Sequence, residues 1–300
     1  MKFPPKLSPG DKVSIISPAG KIEREIAERG AEILKGQGFK VEIGVNAFAK
    51  EGIYAGSDLS RVEDMQKALN DKSIKAIFFT RGGYGSLRTH LHLNWSSFFK
   101  KPKWLIGFSD ITVFHAFLSP HNIASIHGVM TAWFEQDEVL TDSFLRTIGL
   151  LKGEKPEYFL QPNDLNRCGS VSGILTGGNL SIIQSLRGTP LDIKPKGKIL
   201  FIEDIGEHYY HIDRMMMNLK AGGILERLSG LVVGYFTRMK DGETPFGNTA
   251  YQIINEAVAQ YTYPVVFGLQ SGHELPNNPL LLGSKISMDV TKDKVIIKTL

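Results

Sequence analysis

The sequence predicts an α/β protein in which helices cover both faces of a parallel sheet. Short apolar runs rich in β-branched residues alternate with segments whose apolar residues have helical spacing. Such alternation is typical of strand–helix–strand units, which build parallel sheets. Ligands of these sheets bind beyond the carboxyl ends of the strands, so the turns that follow the strands are the first places to look for a site.

Five strands and four helices are predicted in the first half. The strands are expected at 13–17, 39–43, 74–80, 104–108 and 124–128, and the helices at 23–34, 58–69, 111–118 and 137–151. A polar, proline-bearing stretch then interrupts the pattern. We therefore expect domains at 1–153 and 170–300, joined by a linker at 154–169.

The second half continues the alternation. Strands are expected at 171–176, 198–202, 231–236 and 265–269, with helices at 180–186, 211–219 and 249–259. The segments 280–290 and 294–299 are predicted to form a closing hairpin. The second half thus predicts a smaller α/β domain.

Composition and charge exclude several classes of function. A net charge of +4 over 300 residues is mild, and no basic run has interleaved aromatic residues, so we expect no nucleic-acid partner. Cys168 is the only cysteine, which rules out an intrachain disulfide. The N-terminal stretch has prolines and charges in place of an apolar core, and no stretch is long enough to span a bilayer. We expect a cytoplasmic protein that does not bind membranes.

The first candidate catalytic residue is Ser109, at the joint between a predicted strand and a predicted helix. A hydroxyl there lies at the carboxyl edge of the sheet, with backbone N–H groups at a helix N-terminus that suit an oxyanion. The alternative is that Ser109 or Asp110 caps the helix. Ile111 replaces the second glycine of the G-x-S-x-G motif, so this stretch alone favours a cap.

A glycine-rich turn, RGGYGS at 81–86, follows the third predicted strand. Three glycines in four positions allow a tight turn with exposed N–H groups. The segment lacks the lysine of a P-loop and does not fit G-x-G-x-x-G, so a phosphate site is weakly indicated. It is otherwise an oxyanion donor facing Ser109 or a turn without a ligand, and by itself the motif favours the plain turn.

Three further side chains have two interpretations each. Glu203, after a predicted strand, either orients a histidine or ends the strand in solvent. His273, in a loop after a glycine, is either a general base or a solvated side chain. His127, in an apolar strand, is more typical of a hydrogen-bonded core residue than of a catalyst. We expect no metal, because no Cys/His cluster and no H-E-x-x-H spacing occurs.

The order of the motifs resembles one known family along nearly the whole chain. The motifs are PPKLSPGDKVSIISPAG, YAGSD, RGGYG, GFSDIT, IHG, TGGNLS, ILFIED, HIDRM and the GHE loop. Together they resemble the LD-carboxypeptidases, serine peptidases of the muramoyltetrapeptide carboxypeptidase type. That family also includes the microcin C7 self-immunity proteins.

The resemblance implies a fold and a set of catalytic residues. It implies a flavodoxin-like N-terminal domain, a smaller C-terminal α/β domain, homodimers and no cofactor. Ser109 would be the nucleophile, Glu203 the orienting carboxylate and His273 the general base. The oxyanion donors would be the backbone N–H groups of Gly83 and Asp110. The substrate site would be the cleft between the domains.

The implied reaction cleaves the peptide bond before the terminal D-alanine of murein tetrapeptides during peptidoglycan recycling. Arg81 and His127 are further hypotheses, as ligands of carboxylates on this peptide-like substrate. An alternative is the immunity-type hydrolysis of peptidyl-nucleotide or aminoacyl-sulfamoyl adenylates, for which Tyr158 and Phe159 would be aromatic rings to stack on a base. A two-domain binding protein without catalysis is the third hypothesis.

Overall fold

The computed structural model describes the backbone of residues 1–134 and 138–300, and the side chains of these residues except 138–141. Asp137, the expected start of the fourth helix, lies outside the described residues. The helices are α1 (Arg24–Gly36), α2 (Asp58–Asn70), α3 (Ser86–His90), α4 (Ser96–Lys100), α5 (Thr112–Leu118), α6 (Glu138–Lys152), α7 (Leu180–Ser185), α8 (Tyr209–Ala221) and α9 (Ala250–Ala257). Among these helices none is long and apolar enough to cross a membrane.

The strands form two sheets. They are β1 (Lys12–Ile16), β2 (Lys40–Ile43), β3 (Ile74–Phe79), β4 (Trp104–Gly107), β5 (Ser125–His127), β6 (Glu157–Leu160), β7 (Gly169–Asn179), β8 (Lys198–Ile205), β9 (Gly230–Thr237), β10 (Val265–Phe267), β11 (Leu280–Leu282), β12 (Lys285–Val290) and β13 (Val295–Thr299). The first sheet has the order β11-β5-β4-β3-β1-β2, and the second has the order β10-β9-β8-β7-β12-β13-β6.

The first sheet confirms the predicted architecture. Strands β1 to β5 pair in parallel, and side chains alternate between two apolar layers on its faces. On β3, Phe78 packs in the layer with Leu34 of α1, whereas Phe79 packs in the layer with Met65 of α2. This alternation is the reason that β3 reads as a nearly continuous apolar run.

One strand of the first sheet comes from the far end of the chain. The predicted strand at 280–290 is two strands, because β11 pairs antiparallel with β5 of the first sheet and β12 belongs to the second sheet. The chain changes direction at Gly283, whose φ is +85°. Apolar alternation gives the positions that face a core but not the sheet to which a strand belongs, so the sequence merged the two.

The second sheet combines parallel and antiparallel pairs. Strands β7 to β10 are parallel, and β12, β13 and β6 add antiparallel pairs. Strand β6 lies inside the segment 154–169 that we expected to be a linker, and its partner is β13. It is a four-residue edge strand with one buried side chain, so its sequence carries little strand pattern.

Two features of helices were also missed by periodicity. The five-residue helices α3 and α4 are too short for a 3.6-residue pattern. In addition, β8 continues through Glu203 and Asp204 to Ile205, although we expected the strand to end at Ile202. Both carboxylates are buried and make hydrogen bonds there, which allows a strand to contain them.

Lys103, just before β4, is a buried lysine that ends a helix. Its ammonium donates to the carbonyl oxygens of Ala68 at 2.6 Å, Leu69 at 3.1 Å and Asp71 at 2.7 Å. These carbonyls belong to the last turn of α2 or follow it, where intrahelical donors are lacking. Nearby, the exposed Lys101 donates to the carbonyl of Lys72 at 2.7 Å.

The two lysines give a matched test of this contribution. We expect Lys103→Met to lower the free energy of unfolding by about 1–3 kcal/mol, because buried carbonyls lose their donor. Lys101→Met should change it by less than about 0.5 kcal/mol, because water replaces the exposed ammonium. Urea denaturation of both variants measures the difference, and equal effects would contradict the role given to Lys103.

Candidate active site

Ser109 lies on a strained turn between β4 and α5. Its φ is +62°, a left-handed conformation that is uncommon for a residue other than glycine. Gly82 packs directly against it, since a Cβ on Gly82 would lie 2.9 Å from the Ser109 Cβ. The half-buried Ser109 therefore lies against the glycine-rich turn. Strain of this kind is concentrated at functional sites.

Asp110 attaches the glycine-rich turn to the Ser109 turn. Its buried carboxylate accepts a hydrogen bond from the Ser86 N–H at 2.8 Å, at the start of α3. Burial raises the pKa of Asp110, against the lowering effect of hydrogen bonds from Ser86 and Gly85. Asp110 is thus a cap, as one interpretation expected, but for α3 and not for the helix that follows it. This contact sets where Gly83 lies relative to Ser109.

Glu203 and His273 form a buried pair. The carboxylate Oε2 of Glu203 lies 2.7 Å from Nδ1 of His273, and the Glu203 side chain is fully buried. The His273 ring lies edge-on to the ring of Phe108, with centroids 4.8 Å apart. Because Phe108 directly precedes Ser109, the pair lies beside the strand end that carries the hydroxyl. Residues 109, 203 and 273, which are remote in sequence, are thereby brought to one region.

The pair changes the acidity of His273. Burial by itself lowers the pKa of this imidazole, but the charge of Glu203 and its hydrogen bond raise it, and so does the charge of Asp204. The net result is a pKa above the ordinary value of 6.5. Such an imidazole is orientated by Glu203 and binds a proton more readily than a free histidine, as a general base requires.

The helix α5 joins the Ser109 turn to the second sheet. The Thr112 hydroxyl accepts the Asn179 N–H at 3.0 Å, and the Asn179 amide donates to Asp204 at 2.9 Å. Asp204 also accepts the Ser181 N–H at 2.9 Å. Gly178 permits this approach, since a Cβ there would lie 2.5 Å from the Thr112 hydroxyl. We call Thr112, Asn179 and Asp204 the α5 bridge.

The α5 bridge was not found by sequence reasoning. Asn179 looked like part of a turn, although as the residue before α7 it also caps that helix. Burial and the neighbouring Glu203 raise the pKa of Asp204 to about 7. A second contact holds the other end of the helix, where Lys198 donates to the Ser119 hydroxyl at 2.8 Å. The available signal was the run of small polar residues TGGN after a strand.

The two suggested carboxylate ligands differ in their surroundings. Arg81 is exposed, and its guanidinium donates to the Lys21 carbonyl at 3.3 Å. His127 is fully buried against Phe201, with ring centroids 5.0 Å apart, and neither ring nitrogen has a partner among the described residues. Burial holds the pKa of His127 well below 6.5. A neutral, inaccessible imidazole does not suit a carboxylate, so this placement favours the core interpretation.

The two aromatic residues suggested for a nucleobase are also placed. Tyr158 is buried, and its hydroxyl donates to the Pro279 carbonyl, so its ring is not free to stack on a ligand. Phe159 is exposed on the edge strand β6. Within the described part of the chain, no group of three or more His, Cys, Asp and Glu side chains is arranged to hold a metal ion.

Comparisons with known proteins agree with this geometry. The LD-carboxypeptidase N-terminal domain model matches residues 13–128, and the C-terminal domain model matches residues 172–288. A protein of Bacillus subtilis described as a probable murein peptide carboxypeptidase is 30% identical over 305 residues, which cover 99% of this chain and 95% of the relative. The chain belongs to the LD-carboxypeptidase family.

Other members of this LD-carboxypeptidase family are similar over most of their length. The murein tetrapeptide carboxypeptidase of Pseudomonas aeruginosa is 30% identical over 279 residues, 89% of each chain. The crystal structure of muramoyltetrapeptide carboxypeptidase from Oxalobacter formigenes superimposes with a TM-score of 0.86 at 27% identity, covering 96% of this chain and 98% of that one. The comparisons confirm the expected family, the α/β fold and the class of enzyme, a serine-type LD-carboxypeptidase.

A second group of neighbours is similar in fold. The structure of MccF in complex with glutamyl sulfamoyl guanosine has a TM-score of 0.87 at 20% identity and covers 98% of each chain. At this identity the likeness extends to the fold alone.

The α5 bridge of this LD-carboxypeptidase leads to a stability prediction. Thr112→Val keeps the shape of the side chain but leaves the buried Asn179 N–H without an acceptor, so we expect a loss of about 1–3 kcal/mol. Thr147→Val is the control, because the Thr147 hydroxyl donates to the Ser143 carbonyl inside α6 and should cost less than about 0.5 kcal/mol. Urea denaturation measures both, and an unchanged Thr112→Val protein would show that the bridge contributes nothing.

Proposed function

We propose that this LD-carboxypeptidase releases the terminal D-alanine of murein tetrapeptides with Ser109 as nucleophile, His273 as general base and Glu203 as the carboxylate that orients His273. The observation that carries the proposal is the buried 2.7 Å contact between Glu203 and His273, packed on Phe108 next to Ser109. The Ser109 hydroxyl makes no hydrogen bond within the described part of the chain and is partly exposed, so it is free to meet a substrate.

The first half of the reaction forms an acyl-enzyme. His273 takes the hydroxyl proton of Ser109 as the oxygen attacks the scissile carbonyl, and Glu203 stabilises the resulting imidazolium. The backbone N–H groups of Gly83 and Asp110 are proposed to donate to the oxyanion, in a turn that the Asp110–Ser86 contact holds in place. The imidazolium then gives its proton to the departing amine, which leaves as D-alanine.

The second half returns the enzyme to its starting state. Water attacks the ester while His273 takes its proton, and His273 then protonates the Ser109 oxygen as the shortened peptide leaves. The bond cleaved joins an L-configured centre, that of diaminopimelate or lysine, to D-alanine. We place the nucleophile on a domain at 1–153 and the other two members of the triad on a domain at 170–300, with the substrate in the cleft between them.

The choice of a murein peptide as substrate is supported by the relatives. Relatives that are 30% identical over most of the chain are described as murein peptide or murein tetrapeptide carboxypeptidases. The adenylate alternative is less well supported, because Tyr158 is buried with its hydroxyl in use. Arg81 stays a candidate for the substrate carboxylate because it is exposed. Homodimer formation and a cytoplasmic location also remain part of the proposal.

The proposal predicts the release of D-alanine from a tetrapeptide that ends in D-alanine. We expect wild-type protein to release it and Ser109→Ala to be slower by roughly 10⁴-fold or more, because the nucleophile is lost. Ser185→Ala, which removes an exposed hydroxyl on α7, is the control and should retain full activity. Coupled detection of free D-alanine measures the rate.

Two further results would decide between the hypotheses. Cleavage of an aminoacyl-sulfamoyl adenosine without release of D-alanine would select the immunity-type alternative. A wild-type protein that cleaves neither substrate and whose Ser109 is not labelled by a fluorophosphonate would support a binding protein without catalysis.

The Glu203–His273 pair predicts a pH dependence. General-base catalysis needs neutral His273, so kcat/KM should fall as the pH is lowered through a pKa that lies above 6.5. In Glu203→Gln the stabilising charge is absent, so the acid limb should move to lower pH by about one unit or more, and the plateau should fall by roughly 10²–10⁴-fold. Rates measured from pH 5 to 9 test this, and an acid limb at an unchanged pH would contradict the pairing.

A further inference from the structure

The loop that carries His273 is closed by its own polar groups. At its ends, the Asn278 N–H donates to the Gln270 carbonyl at 2.8 Å, and the Ser271 hydroxyl donates to the Asn278 carbonyl at 2.8 Å. The Ser271 carbonyl in turn accepts the Tyr235 N–H of β9 at 3.0 Å. Residues 270–278, which we call the His273 loop, are therefore attached to the second sheet at one side.

Asn277 connects the interior of this loop to the first half of the protein. It is fully buried, and its side-chain Oδ1 accepts the Gly272 N–H at 3.0 Å. Its backbone N–H donates to the Ser143 hydroxyl of α6 at 3.0 Å. Only the oxygen of the amide can accept from an N–H group, so the Gly272 contact fixes the orientation of the Asn277 side chain. One residue thus bridges the loop and attaches it to α6.

The bond from Asn277 reaches the residue that packs on the catalytic carboxylate. Gly272 has a φ of +126°, and a Cβ there would lie 2.7 Å from the Glu203 Oε2 atom that contacts His273. Gly272 also directly precedes His273. A shift of Gly272 therefore moves the imbedded imidazole relative to both Glu203 and the Ser109 turn.

We propose that Asn277 is a positioning residue, which holds Gly272 through its amide oxygen and thereby keeps the His273 imidazole on Glu203 and directed to Ser109. This inference rests on the proposed triad. The Asn277 Nδ2 group is buried without a partner among the described residues, so the residue carries a desolvation cost. The loop contact offsets this cost. A misplacement of about 1 Å at a catalytic group lowers the rate by roughly 100-fold.

Substitutions at Asn277 separate positioning from general stability. In Asn277→Ala the Gly272 N–H loses its acceptor, so we expect kcat for D-alanine release to fall by roughly 10–100-fold with KM changed by less than about threefold. Asn277→Asp keeps an acceptor oxygen and should recover most of the lost kcat. Asn278→Ala is the matched control, because Asn278 serves the loop through its backbone, and its kcat should stay within about threefold of wild type.

A readout that does not depend on turnover is the titration of His273, followed by NMR in each variant. Loss of the Glu203 contact lowers the pKa of the imidazole, so Asn277→Ala should titrate at lower pH than wild type and Asn278→Ala at the wild-type pH. Hydrogen exchange of the 270–278 amides should accelerate in Asn277→Ala alone. If that variant does not fold, Ser143→Ala, which removes the acceptor of the Asn277 N–H, should show the same changes to a smaller degree.

The outcomes distinguish this inference from the proposed function. If wild-type protein releases no D-alanine, the proposed function fails, while the NMR titration and exchange still test Asn277. The inference is overturned if Asn277→Ala, or Ser143→Ala in its place, keeps the wild-type titration of His273 and wild-type exchange. It is equally overturned if kcat falls while both of these are unchanged, because the loss would not act through His273.

Discussion

The structure depends on the way in which α5 is held between its two sheets. Ser109 precedes this helix in the first half, and Glu203 belongs to the second sheet. No local interaction can set the distance between groups so remote in the chain. The Thr112–Asn179 contact at one end of α5 and the Lys198–Ser119 contact at the other provide this constraint, because both are hydrogen bonds from the second sheet to the helix or its end.

Two adjacent carboxylates in β8 have separate structural tasks. Successive side chains of a strand point to opposite faces, so Glu203 meets His273 while Asp204 meets Asn179 and the start of α7. Each raises the proton affinity of nearby groups: burial and Glu203 raise the pKa of Asp204, and both carboxylates raise that of His273. The strand that orients the imidazole is therefore also the strand that anchors the nucleophile's helix.

Much of this could be predicted from the sequence because the determinants are local. The apolar runs at β3 and β4 predicted buried parallel strands, and Ser109 was identified from its place between a strand and a helix. The parts that sequence reasoning missed have non-local causes. β11 joins the first sheet from residue 280, β6 pairs with the last strand, and Asp110 caps α3 by accepting from Ser86.

The sequence by itself determined the α/β fold, the family, and the residue types that supply a hydroxyl, an imidazole and a carboxylate, because periodicity and ordered motifs are properties of the chain. Only the tertiary structure decided that His273 contacts Glu203 and not solvent, that His127 is buried and neutral, and that Asn277 and Thr112 hold the loop and helix of the site. The reason is that burial and hydrogen-bond partners are created by segments that meet only when both sheets have formed.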